Sequence, residues 1–312
     1  MHFFTLFSLL FSLTCVSNAQ WPDPRPLTGD TAVHDPTICK DNSGTYWVFA
    51  TGTRLTIKTS KDLTNWTSEG LVWPAGAPWT DQFTLTSNGA LWAPDCTYID
   101  GVFWLYYTAS SFGSQDSGIF LAKSTSGLPG SWSNEGLVTS TSTANDYNAI
   151  DPNLIIDQGK WYLSFGSFWS GIKLLNLNGS NGLPTSQAVT ALAERTADNG
   201  AIEASVIYSY NSQFYLFTSW DNCCQGVNST YNIRVGRSSS VSGPYVDATG
   251  VPLLSGGGTL VLGTHGSIVG PGGQDIITDE VGPLMVYHYY TPTGSFLGIN
   301  RLNFSTGWPV VV

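Results

Sequence analysis

The chain has 312 residues, a formal net charge of −10 and only 11% charged residues. This length is enough for one large domain or two small ones. The acidic balance argues against a nucleic-acid-binding protein, which needs a basic stripe on its surface. Aromatic residues make up 13% of the chain and include 12 tryptophans. That content suits a large core and also a surface that stacks on sugar rings.

The amino terminus, MHFFTLFSLLFSLTCVSNAQ, is an apolar run that ends in the small residues Ser17, Asn18 and Ala19. Although the usual basic residue is missing from its start, the pattern predicts a secretory signal at residues 1–19. A membrane anchor is the alternative, but the run is short and contains Ser and Thr. No later segment approaches the ~18 apolar residues that span a bilayer. We therefore expect a secreted, extracellular protein.

Potential glycan sites fit secretion. Four N-x-S/T sequons occur, at Asn65, Asn178, Asn228 and Asn303. Each is an acceptor for a glycan in a secreted protein.

The cysteines are too few for a disulfide scaffold. Loss of Cys15 with the signal leaves Cys39, Cys96, Cys223 and Cys224. Cys223 and Cys224 are neighbours, so they either close a vicinal disulfide or remain as two small thiols. No C-x-x-C pair occurs, and the sequence therefore does not favour a zinc site built on cysteine.

One pattern recurs five times: a leading polar residue, an apolar run, a turn, an aromatic strand and a further β-rich run. The aromatic strands are TYWVFATG, VFWLYYTAS, KWYLSFGSF, QFYLFTSWD and PLMVYHYY. The leading residues are Asp35, Asp95, Asp151, Glu203 and His265, at intervals of 60, 56, 52 and 62 residues. No long segment shows helical periodicity. Repeats of this length with three or four strands each are typical of a β-propeller.

We therefore predict an all-β, five-bladed β-propeller that fills residues 20–312 as a single catalytic domain. A two-sheet sandwich of similar hairpins is the alternative, but it gives no reason for a fixed repeat. The first strand of each propeller blade lines the central channel, so the five leading residues should converge near the axis. Several carboxylates in one place repel one another, and at least one should have a raised pKa. Perturbed acids in a concave centre favour a catalytic site.

Short motifs at these positions resemble glycoside hydrolase family 43. They are VHDPTI, WAPD, NAIDPNL and AIEAS, and the likeness continues in SSFGSQDSGI, FGSFWSGIKLL, SWDNCCQGVNSTYNIRVGRS and GTHGSIVGPGGQD. The resemblance runs from about Trp21 to the C-terminus and is sharpest to secreted fungal members that cleave arabinan. One departure is Ser205, where the family usually places proline.

The resemblance implies inverting hydrolysis of internal α-1,5-L-arabinofuranosidic bonds of arabinan, a side chain of pectin. Asp35 would be the general base that activates water, and Glu203 the general acid that protonates the leaving oxygen. Asp151 would raise the pKa of the acid and orient it. Inversion needs room for a water, so the base and acid carboxyls should lie ~6.5–9.5 Å apart. Asp95 matches no catalytic position of the family, and we interpret it as structural.

Candidate sugar-binding residues surround these acids. Trp92 and Phe112 could stack on arabinose, with a place in the blade core as the alternative. His34 either hydrogen-bonds a sugar hydroxyl or only packs. Further candidates, which resemble the lining of the family's cleft, are Gly113, Asn148, Ser167, Phe168, Trp169 and Ser170. His288, in VYHYY, is interpreted as a core strand residue.

His265 is the candidate metal ligand. In the family the matching histidine reaches a metal on the propeller axis, usually calcium. Because calcium normally takes six to eight oxygen ligands, waters would have to supply most of its coordination. The alternative is a histidine that only forms hydrogen bonds in the channel. No organic cofactor is expected.

Two other functions fit the same sequence. One is an exo-acting arabinofuranosidase or β-xylosidase of the same fold, since loop shape decides whether one end of the cleft is closed. The other is a non-catalytic glycan-binding propeller, which would need the aromatic residues but no acid and base. Fold alone does not decide between them. The expected partner is arabinan or an arabino-oligosaccharide bound by a monomer, with no nucleic acid and no membrane.

Overall fold

A computed structural model describes residues 21–312. The predicted signal at residues 1–19 lies outside the described residues. Within them, five separate sheets of four or five strands follow one another along the chain. This arrangement confirms the predicted five-bladed β-propeller. No helix of the described part is long and apolar enough to cross a membrane.

The first two blades have five strands each. The strands of this region are β1 (Thr28–Gly29), β2 (Thr37–Lys40), β3 (Tyr46–Ala50), β4 (Gly52–Thr53), β5 (Thr56–Ser60), β6 (Asn65–Leu71), β7 (Ala90–Ile99), β8 (Val102–Ala109), β9 (Ser117–Ser124) and β10 (Ser133–Thr141). Blade one has the order β1-β6-β5-β3-β2, and blade two has the order β10-β9-β8-β7-β4. β2 and β7 are therefore the first long strands of their blades and face the axis.

The other three blades are four-stranded meanders in which each strand pairs with the next. Their strands are β11 (Asn153–Asp157), β12 (Lys160–Phe165), β13 (Ile172–Leu177), β14 (Pro184–Ala193), β15 (Ile202–Tyr210), β16 (Gln213–Trp220), β17 (Asn232–Ser238), β18 (Thr259–Leu262), β19 (Val269–Thr278), β20 (Pro283–Thr291), β21 (Gly294–Asn303) and β22 (Val310–Val311). The inner strands of these blades are β11, β15 and β19.

Helices are few and short in the described residues. They are the α-helix α1 (Asp81–Thr84) and four 3₁₀ turns at Pro78–Thr80, Asp198–Gly200, Gly226–Asn228 and Leu253–Ser255. All lie in connections between strands, as the lack of helical periodicity predicts.

Five apolar clusters hold the blades together, one at each blade-to-blade interface. The cluster between blades one and two contains Trp47, Phe49, Phe103 and Trp132, whose rings meet edge to face. The other four clusters join blades two and three, three and four, four and five, and five and one. The high aromatic content of the sequence is therefore used largely in blade packing.

The inner strands cannot pair with one another, so side chains and backbone amides connect them. Asp275 of blade five accepts hydrogen bonds from the Thr37 hydroxyl at 2.7 Å and the Ile38 amide at 2.8 Å in blade one. The Thr37 hydroxyl in turn accepts the Cys96 amide of blade two at 2.9 Å. The disulfide between Cys39 and Cys96 adds a covalent link between the same two blades.

The connections continue through blades two, three and four. Asp95 accepts hydrogen bonds from the Asn153 side chain and the Leu154 amide, each at 2.8 Å. The Asn153 side chain accepts the Ile207 amide of blade four at 2.9 Å. Burial and the charge of Asp275 raise the pKa of Asp95 to about 8. These contacts agree with the interpretation of Asp95 as a structural residue that connects two blades.

The N-terminal segment closes the circle against blade five. The Arg25 and Val33 amides donate to the carbonyls of Ile299 and Ser295, and the Leu297 amide donates to the Thr31 carbonyl. The first described residues are thus held by β21, which lies near the C-terminus of the chain.

Candidate active site

Each inner strand contains, or begins after, two residues that leave the strand ladder. These pairs are Asp35-Pro36, Ala93-Pro94, Asp151-Pro152, Ala204-Ser205 and Gly273-Gln274. In every pair the first residue has a positive φ, with values of 44°, 39°, 58°, 51° and 57°. Together the pairs line one small axial cavity of about 30 Å³. The five-fold repeat of the sequence thus becomes a ring of left-handed backbone positions.

This ring corrects the predicted register of the leading residues. Asp35 and Asp151 occupy ring positions, and Glu203 directly precedes one. Asp95 lies two residues beyond the ring position of its blade. His265 lies outside the inner strand, because blade five contributes Gly273 to the ring. The prediction that His265 occupies the fifth leading position is therefore wrong.

Ser205 stands where three of the other blades have proline after the left-handed residue. Its hydroxyl donates to Ser164 at 3.0 Å in the neighbouring blade. Ala204 keeps the left-handed conformation without a following proline. The loss of proline therefore leaves the backbone next to Glu203 in the geometry of the other blades.

Asp35 is held from three sides at the mouth of the axial cavity. Its Oδ2 accepts the Thr51 hydroxyl at 2.8 Å. Its backbone amide donates to His288 Nδ1 at 3.1 Å, and His34 Nε2 lies 3.6 Å from its Oδ2. The side chain keeps 22% of its surface exposed. A fixed carboxylate that remains open to solvent can accept a proton from water.

Glu203 receives two hydroxyl donors. The Ser167 hydroxyl donates to Oε2 at 2.6 Å, and the Tyr231 hydroxyl donates to Oε1 at 2.8 Å. Burial of its carboxyl group raises the pKa of Glu203, and the two hydroxyl donors lower it; the charge of Asp35 raises it further. The net shift is upward, which favours the protonated form of this carboxyl group.

Asp151 interacts electrostatically with both of the other acids. Its Oδ2 accepts the Ala204 amide at 2.9 Å, so it contacts the residue next to Glu203. Burial raises the pKa of Asp151 well above its ordinary value, and the charges of Glu203 and Asp35 add to this shift. Because a Coulomb interaction is mutual, an ionised Asp151 also raises the pKa of Glu203.

The three acids form one coupled group. Two of them have raised pKa values, as convergence predicted, and each shift has burial as its largest cause. Such a group holds at least one proton where isolated carboxyls would have lost theirs. Neighbouring carboxyl groups that do not all ionise together are a usual basis of acid–base catalysis.

His288 belongs to the site, which the sequence did not predict. It is fully buried, as expected for a core strand residue, but its ring faces Asp35. Burial and the neighbouring His34 lower the pKa of His288 well below its ordinary value, so the ring is neutral. Its Nε2 lies 3.1 Å from the Tyr290 hydroxyl.

The other residues missed at the sequence level are Thr51, Tyr231 and Tyr290. Each lies in or beside a strand rich in aromatic or β-branched residues, and that pattern is typical of blade core. A polar atom inside such a strand is the one signal that could have identified them.

Seven of the nine candidate sugar-binding residues, all except His34 and Trp92, lie in three loops that contact one another. The Gln115 side chain donates to the Asn145 and Tyr147 carbonyls, and the Ser170 amide donates to the Asp146 carbonyl. These contacts join the loop of Phe112 and Gly113 to the loops of Asn148 and of Ser167–Ser170.

Within these loops the candidates differ in exposure. Phe112 is 86% exposed and Trp169 is 43% exposed, so both present free ring surface. Phe112 is therefore not in the blade core, which was the alternative. Asn148 is buried and close to Thr141 and the Ser114 carbonyl.

The remaining candidates have defined contacts. Ser167 is the donor to Glu203 described above. Phe168 and Trp169 both have positive φ, so the backbone turns sharply beside Glu203. The Ser170 carbonyl accepts a hydrogen bond from Nζ of buried Lys173, which holds the turn in place. Trp92 is half-buried directly before Ala93, and His34 packs on His288 with ring centroids 4.1 Å apart.

His265 fits a metal ligand in its hydrogen bonding. Its Nδ1 lies 2.8 Å from the Gly263 carbonyl and must donate to it, so neutral Nε2 carries a free lone pair. Nε2 is buried and has no hydrogen-bond partner among the described residues. The Asp23 carboxylate is 3.9 Å away. The side chains thus offer one nitrogen and one carboxylate, and waters would have to complete the shell of a calcium ion.

A propeller with neighbouring carboxyl groups beside its axial cavity, two of them with raised pKa values, has groups of the kind that glycoside hydrolases use. The chain matches the model of the glycosyl hydrolases family 43 over residues 27–309. It belongs to this family.

Characterised relatives cover most of the chain. It is 43% identical over 287 residues to an extracellular endo-α-(1→5)-L-arabinanase of Bacillus subtilis, covering 89% of this chain and 87% of the relative. It is 38% identical to the arabinan endo-1,5-α-L-arabinosidase A of Aspergillus niger, covering 93% and 94% of the two chains.

Two solved structures are equally similar in fold. The GH43 endo-arabinanase of Bacillus licheniformis has a TM-score of 0.85 at 40% identity, covering 91% of this chain and 99% of that one. An exo-1,5-α-L-arabinanase from a bovine ruminal metagenomic library also has a TM-score of 0.85, at 34% identity, covering 92% and 99%.

The ring position of Gly273 generates a prediction. A β-carbon at this glycine would lie 2.6 Å from Asp35 Oδ1 and 2.8 Å from His288 Nδ1. We expect Gly273→Ala to displace the Asp35 carboxylate and lower turnover by roughly 10²-fold, the cost of a misplacement near 1 Å. Turnover is measured on the substrate that the wild type hydrolyses.

Gly101→Ala is the matched control, because Gly101 also has a positive φ but no atom within 4 Å of the added β-carbon. Both variants should lose about 1–2 kcal/mol of unfolding free energy from the left-handed backbone. Wild-type turnover in correctly folded Gly273→Ala would contradict the crowding argument.

Proposed function

We propose that the protein is an inverting endo-1,5-α-L-arabinanase that cleaves internal bonds of arabinan. The observation that carries the proposal is the electrostatic interaction of three acids, Asp35, Asp151 and Glu203, beside the axial cavity. The names of the relatives supply the substrate. The monomer acts outside the cell, after removal of the signal, on a neutral polysaccharide that requires no basic surface.

Asp35 acts as the general base. Its side chain keeps 22% of its surface exposed, and the Thr51 hydroxyl and the Asp35 backbone bond to His288 hold it in place. A water between Asp35 and the anomeric carbon loses a proton as it attacks. Attack opposite to the leaving group inverts the anomeric configuration, and this requires base and acid to flank the bond at ~6.5–9.5 Å.

Glu203 acts as the general acid. Its raised pKa keeps the proton that the leaving oxygen needs, and the hydroxyls of Ser167 and Tyr231 orient its two oxygens. Asp151 does not contact the leaving oxygen in this scheme. It anchors the Ala204 amide, and in its ionised form it raises the pKa of Glu203.

The exo-acting alternative is kept because a relative named as an exo-enzyme has the same fold similarity. Viscosity and released sugar are measured together on linear arabinan. An endo-enzyme lowers viscosity before much arabinose appears, whereas an exo-enzyme releases sugar from chain ends with little early loss of viscosity. No release of sugar would favour the glycan-binding alternative and overturn the proposal.

The acids generate the second prediction. Asp35→Ala and Glu203→Ala should each lower arabinan turnover by roughly 10²–10⁴-fold, because water activation and leaving-group protonation each contribute that much. External azide should partly rescue Asp35→Ala by taking the place of the activated water. Asp95→Asn is the control that separates catalysis from structure, because it should lower the free energy of unfolding before it lowers turnover. If either alanine variant keeps more than about a tenth of wild-type turnover, these acids are wrongly assigned.

The pH dependence generates the third prediction, in which two variants shift the alkaline limb in opposite directions. The limb reports loss of the Glu203 proton. Asp151→Asn removes the negative charge that ionised Asp151 places beside Glu203, so the pKa of Glu203 falls and the limb moves to lower pH. Tyr231→Phe removes a hydroxyl that stabilises ionised Glu203, so the limb moves to higher pH. A hydrogen bond to a charged group is worth ~1.5–3 kcal/mol, hence a shift of about one pH unit or more.

The measurement is the pH profile of kcat/KM for both variants and the wild type. Ser167→Ala is a further variant that should move the limb in the same direction as Tyr231→Phe. Equal or same-sign shifts in Asp151→Asn and Tyr231→Phe would show that Glu203 does not carry the catalytic proton.

The metal is a separate part of the proposal. His265 Nε2, with Asp23 within reach, would hold a calcium ion whose other ligands are waters. When bound, the ion supplies a fixed positive charge that stabilises ionised carboxylates near it. The free lone pair of Nε2 supports this assignment.

The fourth prediction tests this ion directly. Addition of calcium after chelation should raise the melting temperature of the wild type, because a ligand that binds only the folded state stabilises it. His265→Ala should fold, lose this calcium response and have lower activity. A calcium-independent melting temperature and turnover in the stripped wild type would contradict the metal site.

A further inference from the structure

The Cys223–Cys224 pair forms a vicinal disulfide, one of the two states that the sequence left open. It lies in the loop between β16 and β17. Cys224 is exposed, and its Sγ is 3.6 Å from Nε2 of His34, the residue that precedes Asp35. The disulfide therefore borders the general-base side of the site.

A chain of hydrogen bonds connects this disulfide to Asp35. The Cys224 amide donates to the Tyr290 hydroxyl at 2.8 Å, and that hydroxyl lies 3.1 Å from His288 Nε2. His288 Nδ1 accepts the Asp35 amide at 3.1 Å.

The protons in this chain have one consistent arrangement. Nδ1 of neutral His288 accepts a hydrogen bond, so Nε2 carries the proton and donates to Tyr290. The Tyr290 oxygen then accepts from both Cys224 and His288. The Cys224 amide thus donates toward Asp35, whereas His288 Nε2 and the Asp35 amide donate toward the loop, and each hydrogen bond of the chain has one assigned donor.

The residues on either side of the disulfide have partners within the loop, since Asn222 bonds to Thr230 and the Gln225 amide donates to the Ser229 hydroxyl at 3.0 Å, whereas the Cys224 amide donates out of the loop to Tyr290. Most of residues 222–228 are exposed. Cys224 has a φ of 66°, a left-handed conformation that a non-glycine residue adopts at a cost. A ring closed between neighbouring residues restricts their backbone angles, so the covalent bond can keep the amide directed at Tyr290.

We propose that the Cys223–Cys224 disulfide, acting through Tyr290 and His288, is a positioning element for the general base Asp35. Opening the disulfide releases the Cys224 amide and the contact with His34, and so loosens the backbone of Asp35. This inference rests on the proposed function, because its readout is hydrolysis of arabinan.

The opening step is a reduction by a dithiol. Two electrons and two protons pass from the reductant to the disulfide, the S–S bond breaks, and both cysteines become thiols. The dithiol is oxidised to its own disulfide. Cys39 and Cys96 are buried at 4% and 5% exposure between inner strands, so the exposed vicinal pair reacts first.

The fifth prediction compares oxidised wild type, dithiol-treated wild type with two thiols counted, and Cys223→Ser/Cys224→Ser. The reduced and the serine forms should share a kcat roughly tenfold lower or more, because base misplacement acts on the chemical step. KM should change less than kcat, and the serine variant should not respond to the dithiol. Retention of full kcat with two free thiols would overturn the proposal.

A double-mutant cycle separates positioning from general loosening of the fold. Tyr290→Phe breaks the same chain, so its effect and that of disulfide opening should not multiply. In Asp35→Ala rescued by azide, disulfide opening should leave the rescued rate unchanged. Multiplying effects, or an equal loss in the azide reaction, would assign the disulfide a merely structural role.

The same series distinguishes the two proposals. If oxidised wild type does not cleave arabinan, the proposed function fails, and the redox comparison is repeated on the glycoside that the enzyme does hydrolyse. If oxidised wild type cleaves arabinan and the reduced form does so equally well, only the positioning role fails.

Discussion

The inner strands of a propeller face one another across the axis without sharing a strand ladder, and hydrogen bonds between blades meet this constraint. Asp275, Thr37, Asp95 and Asn153 each reach from one blade to a backbone amide or side chain of another. They keep the five inner strands at a common height. Two of these groups are buried acids, so the arrangement accepts electrostatic cost in order to fix relative position.

The ring of left-handed residues lies just before these connections in every blade, and the catalytic candidates occupy it or adjoin it. Two residues leave the ladder at each site, so a side chain there is directed by backbone geometry instead of by strand alternation. Asp35 and Asp151 use ring positions, whereas Glu203 uses the position before Ala204. The site is thus a local departure from sheet geometry that only a rigid set of inner strands can support.

The fold and the proximity of the three acids could be predicted because both depend on patterns that are local in sequence, whereas the catalytic roles of the acids stay a prediction. Alternating aromatic strands define a blade, and Asp-Pro marks the start of an inner strand. His265 was misplaced because motif spacing cannot tell a connecting loop from a strand start, and blade five begins with glycines. Tyr231 and His288 were not found because their strands have the composition of core. Their roles depend on contacts with Glu203 and Asp35 from blades that are distant in sequence.

Closure of the circle has a consequence for the order of folding. The Asp35 amide forms a hydrogen bond with His288, 253 residues later in the chain. The nearby Thr37 hydroxyl forms one with Asp275, also in blade five. During synthesis, Asp35 of the first blade therefore gains its full set of contacts only after the last blade has formed. A chain that lacks blade five can form most of its apolar interfaces, yet Asp35, the proposed general base, then lacks its hydrogen bond to His288. Under the proposed mechanism, hydrolysis therefore reports that the last blade has joined the first, and a fragment arrested earlier is expected to be inactive.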